Sequence, residues 1–335
     1  MGRLQTIRGC PAVRASVFSG LLLAAVHAQP VPESPAPGDV PESRLAVTEL
    51  APAQRASLRD ALRKHDYVLA ENMLAEAAAL HAKSQALLLL LGDVLFLDGK
   101  QLNSILVLKK AELLGPLDER SRYLLALGYV SIGHRNLAIP EFEKLAASHP
   151  SAAQYPYWLA RLMYRKTDFN QALLYAKKAV QLDPSFAKAY DQLGLCYGGL
   201  GMDTEAIQSY RTAIQLSEQQ ALRWPWPALN LGTLYLRLNR LPEAEEALSQ
   251  SLILTPNFPP AHFRLGQVFE KKGDLERAVR ELQKSVELDP TYPDPHYALA
   301  RIYRRRKDNE AADRELKTFV ELRGADTRKG TIRPD

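Results

Sequence analysis

Cysteine is nearly absent: Cys10 and Cys196 are the only two in 335 residues. That excludes a disulfide framework, and no C-x-x-C pair is present to hold zinc. There is no stretch of about 20 apolar residues, so no segment has the length of a transmembrane helix. Signatures of catalysis are missing too: no G-x-x-x-x-G-K-[ST] phosphate loop, no H-E-x-x-H and no G-x-S-x-G. Gly194, Gly198, Gly199 and Gly201 form a glycine-rich stretch, but no strand pattern precedes it, which argues against a nucleotide loop. Charge of one sign is scarce as well. The 43 Lys and Arg nearly balance 38 Asp and Glu, and Arg3, Arg8 and Arg14 sit in a leader-like segment. The rest of the chain is close to neutral and carries no nucleic-acid footprint. These absences predict a chain with no cofactor, no metal and no catalytic residues.

What is present is a period. Leu-Gly or Leu-Ala falls at Leu91-Gly92, Leu125-Ala126, Leu159-Ala160, Leu193-Gly194, Leu231-Gly232, Leu265-Gly266 and Leu299-Ala300. The step is 34 residues every time except one, between Gly194 and Gly232, where it is 38. Three residues after each small residue comes a large apolar one: Leu95, Tyr129, Met163, Tyr197, Tyr235, Phe269, Tyr303. Twelve residues after it comes another small one: Ser104, Ala138, Ala172, Ala206, Ala244, Ala278, Ala312. Proline closes most units, at Pro116, Pro150, Pro184, Pro256 and Pro290.

Each unit therefore reads as two amphipathic helices of about 13 residues. Gly99, Gly133, Gly201, Gly273 or Asn239 supplies the turn between them, as a left-handed helix terminus requires. Small residues at two fixed slots let the pair approach closely, and the late proline ends the second helix. One pair cannot bury its own apolar face, so neighbours must stack. The expected fold is all-α, an α-solenoid.

The unit from Ala187, Ala189 and Tyr190 through Leu193, Gly194, Tyr197, Gly201, Ala206, Tyr210 and Ala213 resembles the tetratricopeptide repeat. The resemblance covers roughly residues 85–322 and extends weakly over 51–84, giving a solenoid over 51–322 with repeat starts near 51, 85, 119, 153, 187, 225, 259 and 293. The first repeat is degenerate, with Ala61, Tyr67, Ala70, Leu74 and Ala77 in register. The resemblance implies a right-handed superhelix whose first helices line a concave groove, and a role in binding protein or peptide segments. It also implies that slots five, nine, twelve and thirteen of each repeat face the groove.

The ends read differently. Residues 1–28 combine a basic start, an apolar run of about a dozen residues and Val26-His27-Ala28, the pattern of a cleaved secretory signal peptide. A mitochondrial transit peptide is the alternative, because no acidic residue precedes Glu33. Residues 29–50 form a linker with Pro30, Pro32, Pro35, Pro37 and Pro41. Residues 323–335 read as a flexible tail. The expected location is the periplasm or outside the cell.

Candidate contact residues follow from the groove slots. Tyr123, Tyr157, Arg161, Tyr164, Arg165, Phe263, Tyr297, Arg301 and Arg305 supply aromatic area and guanidinium forks for an acidic-aromatic or C-terminal peptide. The same aromatics could instead wedge neighbouring repeats. Trp224 and Trp226 sit at the one break in the period. They either plug the lengthened joint or form a partner surface. His262 and His296 share the fourth slot of adjacent repeats, as packing residues or as two metal ligands without a third. Cys196 reads as buried, with a reactive thiol as the alternative. Leu87 to Leu91 reads as a helix covered by repeat 1. Arg304 to Lys307 reads as a solvated helix end or a contact for an anionic partner. Two functions compete: a binding scaffold acting through its groove, and an accessory subunit docked by its convex face or its tryptophans. Neither the partner nor the oligomeric state is legible.

Overall fold

The computed structural model describes residues 40–46 and 49–328. The leader at 1–28, most of the linker and the end of the tail lie outside the described residues. Among the described residues there are seventeen helices and no strand. A short α1 (Glu42–Leu45) falls inside the segment read as linker. The other helices form eight antiparallel pairs, one per expected repeat. Repeat 1 is α2 (Pro52–Arg63) and α3 (Tyr67–Leu80); repeat 2 is α4 (Gln85–Leu97) and α5 (Gln101–Glu112). Repeat 3 is α6 (Glu119–Ser131) and α7 (Arg135–Ser148); repeat 4 is α8 (Gln154–Arg165) and α9 (Phe169–Leu182). Repeat 5 is α10 (Ala187–Gly199) and α11 (Asp203–Gln219); repeat 6 is α12 (Trp226–Arg237) and α13 (Leu241–Leu254). Repeat 7 is α14 (Pro259–Lys272) and α15 (Leu275–Leu288); repeat 8 is α16 (Pro293–Arg305) and α17 (Asn309–Arg328).

One backbone feature fixes the register of all eight. The fifteenth residue of every repeat has positive φ: His65, Gly99, Gly133, Thr167, Gly201, Asn239, Gly273 and Lys307, between 56° and 83°. Glycine or asparagine fills five of these positions, where a left-handed residue ends the first helix with least strain. The next residue then starts the second helix. Asp66, Asp168, Asp274 and Asp308 use a carboxylate oxygen to accept the backbone N–H three residues on, at 3.0–3.2 Å. That satisfies a donor left free at a helix start.

The two small slots work as expected. Gly92, Gly194, Gly232 and Gly266 lie so close to Leu108, Tyr210, Leu248 and Leu282 that a Cβ would come within 2.5–2.6 Å of those side chains. Repeat 4 holds Ala160 and Ala176 in the equivalent slots, both fully buried. The extra residues between repeats 5 and 6 lengthen α11, which runs 17 residues against 14 in α13. The insertion adds about one helical turn.

First helices of most successive repeats pack directly on one another, as α4 does on α6 and α10 on α12, whereas no two second helices approach as closely. A shorter repeat along the first-helix side bends the stack toward it. That side is the concave face of the solenoid.

Candidate interaction surface

The expected groove residues divide into two groups. Tyr123, Tyr157, Tyr164 and Phe263 are buried. Tyr123 stands edge-on to Phe142 and Tyr155 at 6.1 and 5.9 Å and accepts a 3.1 Å hydrogen bond from Trp158 Nε1. Phe142 stacks on Trp158 at 5.6 Å, and Tyr157 meets Phe186 at 5.0 Å. Tyr164 packs on Phe169, and Phe263 meets Tyr292 edge-on at 5.4 Å. The expectation that these four rings present contact area is corrected. Tyr123 joins repeat 3 to repeat 4, Tyr157 and Phe263 pack on the residues that lead into the next repeat, and Tyr164 packs on the second helix of its own repeat, where a large flat side chain fills space at small entropic cost.

Arg161 is also buried, only 7% exposed. Its guanidinium lies 4.7 Å over Trp158 and 5.7 Å over Tyr157, and Nη1 has no hydrogen-bond partner. The nearby Asp191, in the fifth slot of the next repeat, is fully covered and accepts a 2.9 Å hydrogen bond from Asn230 Nδ2. Burial pushes its carboxyl up to about 7, against the pull of Asn230 and the Arg161 charge. Half-buried Arg165 is drawn down to about 10 by burial and by the charges of Arg161 and Arg135. Sequence reasoning named Arg161 and Arg165 but passed over Asp191 and Asn230. A polar residue in a slot that is otherwise apolar or aromatic was the available signal.

The second group is accessible. Tyr297 is 49% exposed, with its ring 5.2 Å from Phe319. Arg301, half-exposed, forks onto Glu270 with 2.9 and 2.5 Å hydrogen bonds, and Arg305 lies 3.7 Å from the same carboxylate. Glu270 is itself well covered, at 10%. Two guanidinium groups therefore share one carboxylate beside an open aromatic ring, on the inner helices of repeats 7 and 8. Arg304 and Arg306 face other acids, Asp313 at 3.4 Å and Glu276 at 2.8 Å. A planar fork with donors to spare suits a partner carboxylate.

Other sequence candidates take structural places. Trp226 is buried edge-on against Phe258 at 5.0 Å, and Trp224 is half-buried. Both stand at the lengthened joint. His262 bridges Glu281 (2.8 Å) and the Pro256 carbonyl (3.0 Å); His296 meets Glu315 at 2.6 Å. Each histidine clasps the two helices of its own repeat, and no group of three metal-ligating side chains occurs among the described residues. Cys196 is fully covered, and burial pushes its thiol up to about 12, far from a reactive thiolate. Leu87, Leu88, Leu90 and Leu91 are buried, with α3 packed on their helix. No helix among the described residues is long and apolar enough to cross a membrane.

Comparison with protein families agrees with this geometry. Three tetratricopeptide-repeat models match residues 123–187 and 229–293, 187–220, and 269–327, together more than half of the chain. The chain belongs to the tetratricopeptide repeat family, whose fold is a scaffold for protein interaction. Among solved structures, it is similar to a tetratricopeptide repeat protein from Parabacteroides merdae, with 16% identity, a TM-score of 0.61, and coverage of 80% of this chain and 98% of that one. It is also similar to a chain of the APC/C hetero-tetramer Cut9-Hcn1, at 22% identity and TM-score 0.53, over 92% of this chain and 54% of that one. Pseudomonas aeruginosa pilF follows at 19% identity and TM-score 0.53, over 64% and 94% of the two chains. Likeness at these identities establishes the fold. A search of curated proteins gave no match. The family models leave residues 51–118 unmatched, yet His65 and Gly99 place repeats 1 and 2 in the same geometry.

Proposed function

We propose that this chain is an exported, non-enzymatic scaffold that binds a protein or peptide segment along the concave face of its repeats. The carrying observation is the accessible end of that face, where Arg301 and Arg305 share Glu270 beside the exposed ring of Tyr297. The ligand class this chemistry favours is a segment carrying a carboxylate and an aromatic or apolar side chain. Aromatic and arginine positions dominate interface energetics, at roughly 2 kcal/mol or more for a hot spot, or about thirtyfold in affinity. A fluorescent acidic-aromatic peptide library screened against the full chain tests this. Tyr297→Ala and Arg301→Ala should each weaken a selected ligand by that order while helical circular dichroism stays intact. Binding indifferent to both changes would move the site elsewhere. Export rests on the leader pattern at 1–28. Intact mass of the secreted chain should begin at Gln29, and a mature species retaining Arg14 would overturn it.

A second reading has its own observation. Leu102, Leu106 and Leu113, on and just after the second helix of repeat 2, are all more than half exposed. Equivalent positions in repeat 7 are Glu276, Arg280 and Glu287. An apolar outer face on one repeat suits an accessory subunit held in a complex. Such a subunit would co-purify stoichiometrically and bind little alone.

A further inference from the structure

The inner face of repeats 2 and 3 already holds a piece of the chain itself. α1 packs on α4, and Leu45 is buried there. Arg44 reaches into a pocket formed by Asp93, Asp118 and Ser121. Its Nη2 donates to both carboxylate oxygens of Asp118 at 2.6 Å and to Ser121 Oγ at 2.7 Å, and its Nε lies 3.4 Å from Asp93. Asp93 occupies the ninth slot of repeat 2, a groove slot, and is fully buried. Arg120 donates to it at 2.9 Å. Two residues before Arg44, Glu42 accepts a fork from Arg59 of repeat 1, with hydrogen bonds of 3.0–3.1 Å. The segment Glu42-Ser43-Arg44-Leu45 is thus read by charge, by charge again and by burial.

The fit is incomplete. Arg44 crowds three hydrogen bonds onto Nη2 while its Nη1 is buried without a partner, and Asp93 Oδ1 is likewise buried and unpaired. A carboxylate and a guanidinium in one pocket, each with an unmatched atom, are seated short of the two-point fork that such pairs favour. Leaving such groups unsatisfied is costly. The tethered occupant therefore holds the pocket without saturating it.

We propose that the Asp93–Asp118–Ser121 pocket is an arginine-recognition subsite for a partner segment, and that residues 40–46 are a tethered competitor occupying it in cis. The partner chemistry is a short peptide with an acidic residue two places before an arginine and an apolar residue after it. This rests on the reading of the inner face as a peptide-binding surface. A short tether supplies an effective concentration on the order of 1 mM, so a free peptide of about 0.1 mM intrinsic affinity is held off about tenfold.

The test uses full-length chain and a labelled peptide copying residues 38–50, read by fluorescence anisotropy. The peptide should bind Arg44→Ala about tenfold more tightly than wild type. Glu42→Gln breaks only an exposed pair, so it leaves the core intact while loosening the competitor; it should also raise peptide affinity, by a smaller factor. A peptide with alanine in place of its arginine should not bind either variant. Failure of the peptide to bind two folded variants, or equal binding of the alanine peptide, would make α1 a structural cap and overturn the proposal. If acidic-aromatic ligands still bind at Arg301 in that case, the groove reading survives and only this inference falls.

Discussion

Two glycines one turn apart in α10 make opposite predictions for the same substitution. Gly194 faces Tyr210, and a Cβ there would lie 2.6 Å from both Cδ1 and Cε1 of the ring and 3.0 Å from Cζ. Tyr210 is itself buried on all sides, so its ring has nowhere to retreat. Overpacking of this kind costs about 1–3 kcal/mol. Alanine in a helix returns up to roughly 1 kcal/mol over glycine. Gly194→Ala should therefore lose up to about 2 kcal/mol net. Gly198 has no neighbour nearer than 4.0 Å to its would-be Cβ, at Ala206 Cβ and Tyr210 Oη. There the helix-propensity gain acts alone, and Gly198→Ala should add about 0.5–1 kcal/mol. Urea and thermal melts followed by circular dichroism read both variants on one baseline. A shift on the order of 2–4 °C per kcal/mol is expected for a chain of this size. Opposite signs are the signature of close helix approach. Both variants moving together, with Gly194→Ala gaining as much as Gly198→Ala, would refute the packing argument for the repeat.

Three further outcomes follow from individual residues. Ala206 is fully buried, so Ala206→Leu should destabilise by about 1–3 kcal/mol in the same melts, with no change meaning that the register is wrong. Thr167, β-branched with φ at 62°, is strained where most other repeats use glycine, and Thr167→Gly should gain roughly 0.5–1 kcal/mol once the glycine's extra unfolded freedom is deducted. Asp191 binds its proton more tightly folded than unfolded, with a carboxyl moved from 3.8 to about 7. Its contribution to stability is therefore full below pH 3.8, declines as pH rises toward 7 and then levels off. Asp191→Asn keeps an acceptor for Asn230 and removes the titration. It should flatten that part of the pH profile and stabilise the chain above neutrality, by on the order of 2–4 kcal/mol at most. An unchanged profile would mean that Asp191 stays ionised, compensated by Arg161.

The architecture was legible because its cause is local and repeated. Small residues at the eighth and twentieth slots, a left-handed residue at the fifteenth and a late proline each have one physical job, and eight copies average out exceptions. The exceptions show where reading by residue type stops. His65, Thr167 and Lys307 take the same left-handed conformation as Gly99 and Gly133, yet nothing in their side chains announces it. Tertiary stacking imposes that backbone, and the chain tolerates the strain. The insertion before Trp224 was visible as a longer step, but only the structure spends it on an added turn of α11.

The site was less legible for a reason built into solenoids. A groove slot on one repeat is also the flank of a seam with the next, so tyrosine there serves as wedge or as contact with the same spacing. Tyr157 and Tyr297 occupy the same slot; the first is closed over by Phe186, which leads into the following repeat, and the second is open because no repeat follows it among the described residues. Exposure, and with it function, depends on what stacks behind a residue. The same logic hid Arg44. A proline-rich stretch reads as linker because it lacks periodic apolar residues, and three anchors at Glu42, Arg44 and Leu45 are too few to register as a pattern. Their meaning lies in Arg59 and Asp118, 17 and 74 residues away, whose side chains complete the contacts. Long-range charge pairing of this kind leaves no periodic trace, so in a repeat protein the departures from the repeat are where function should be sought.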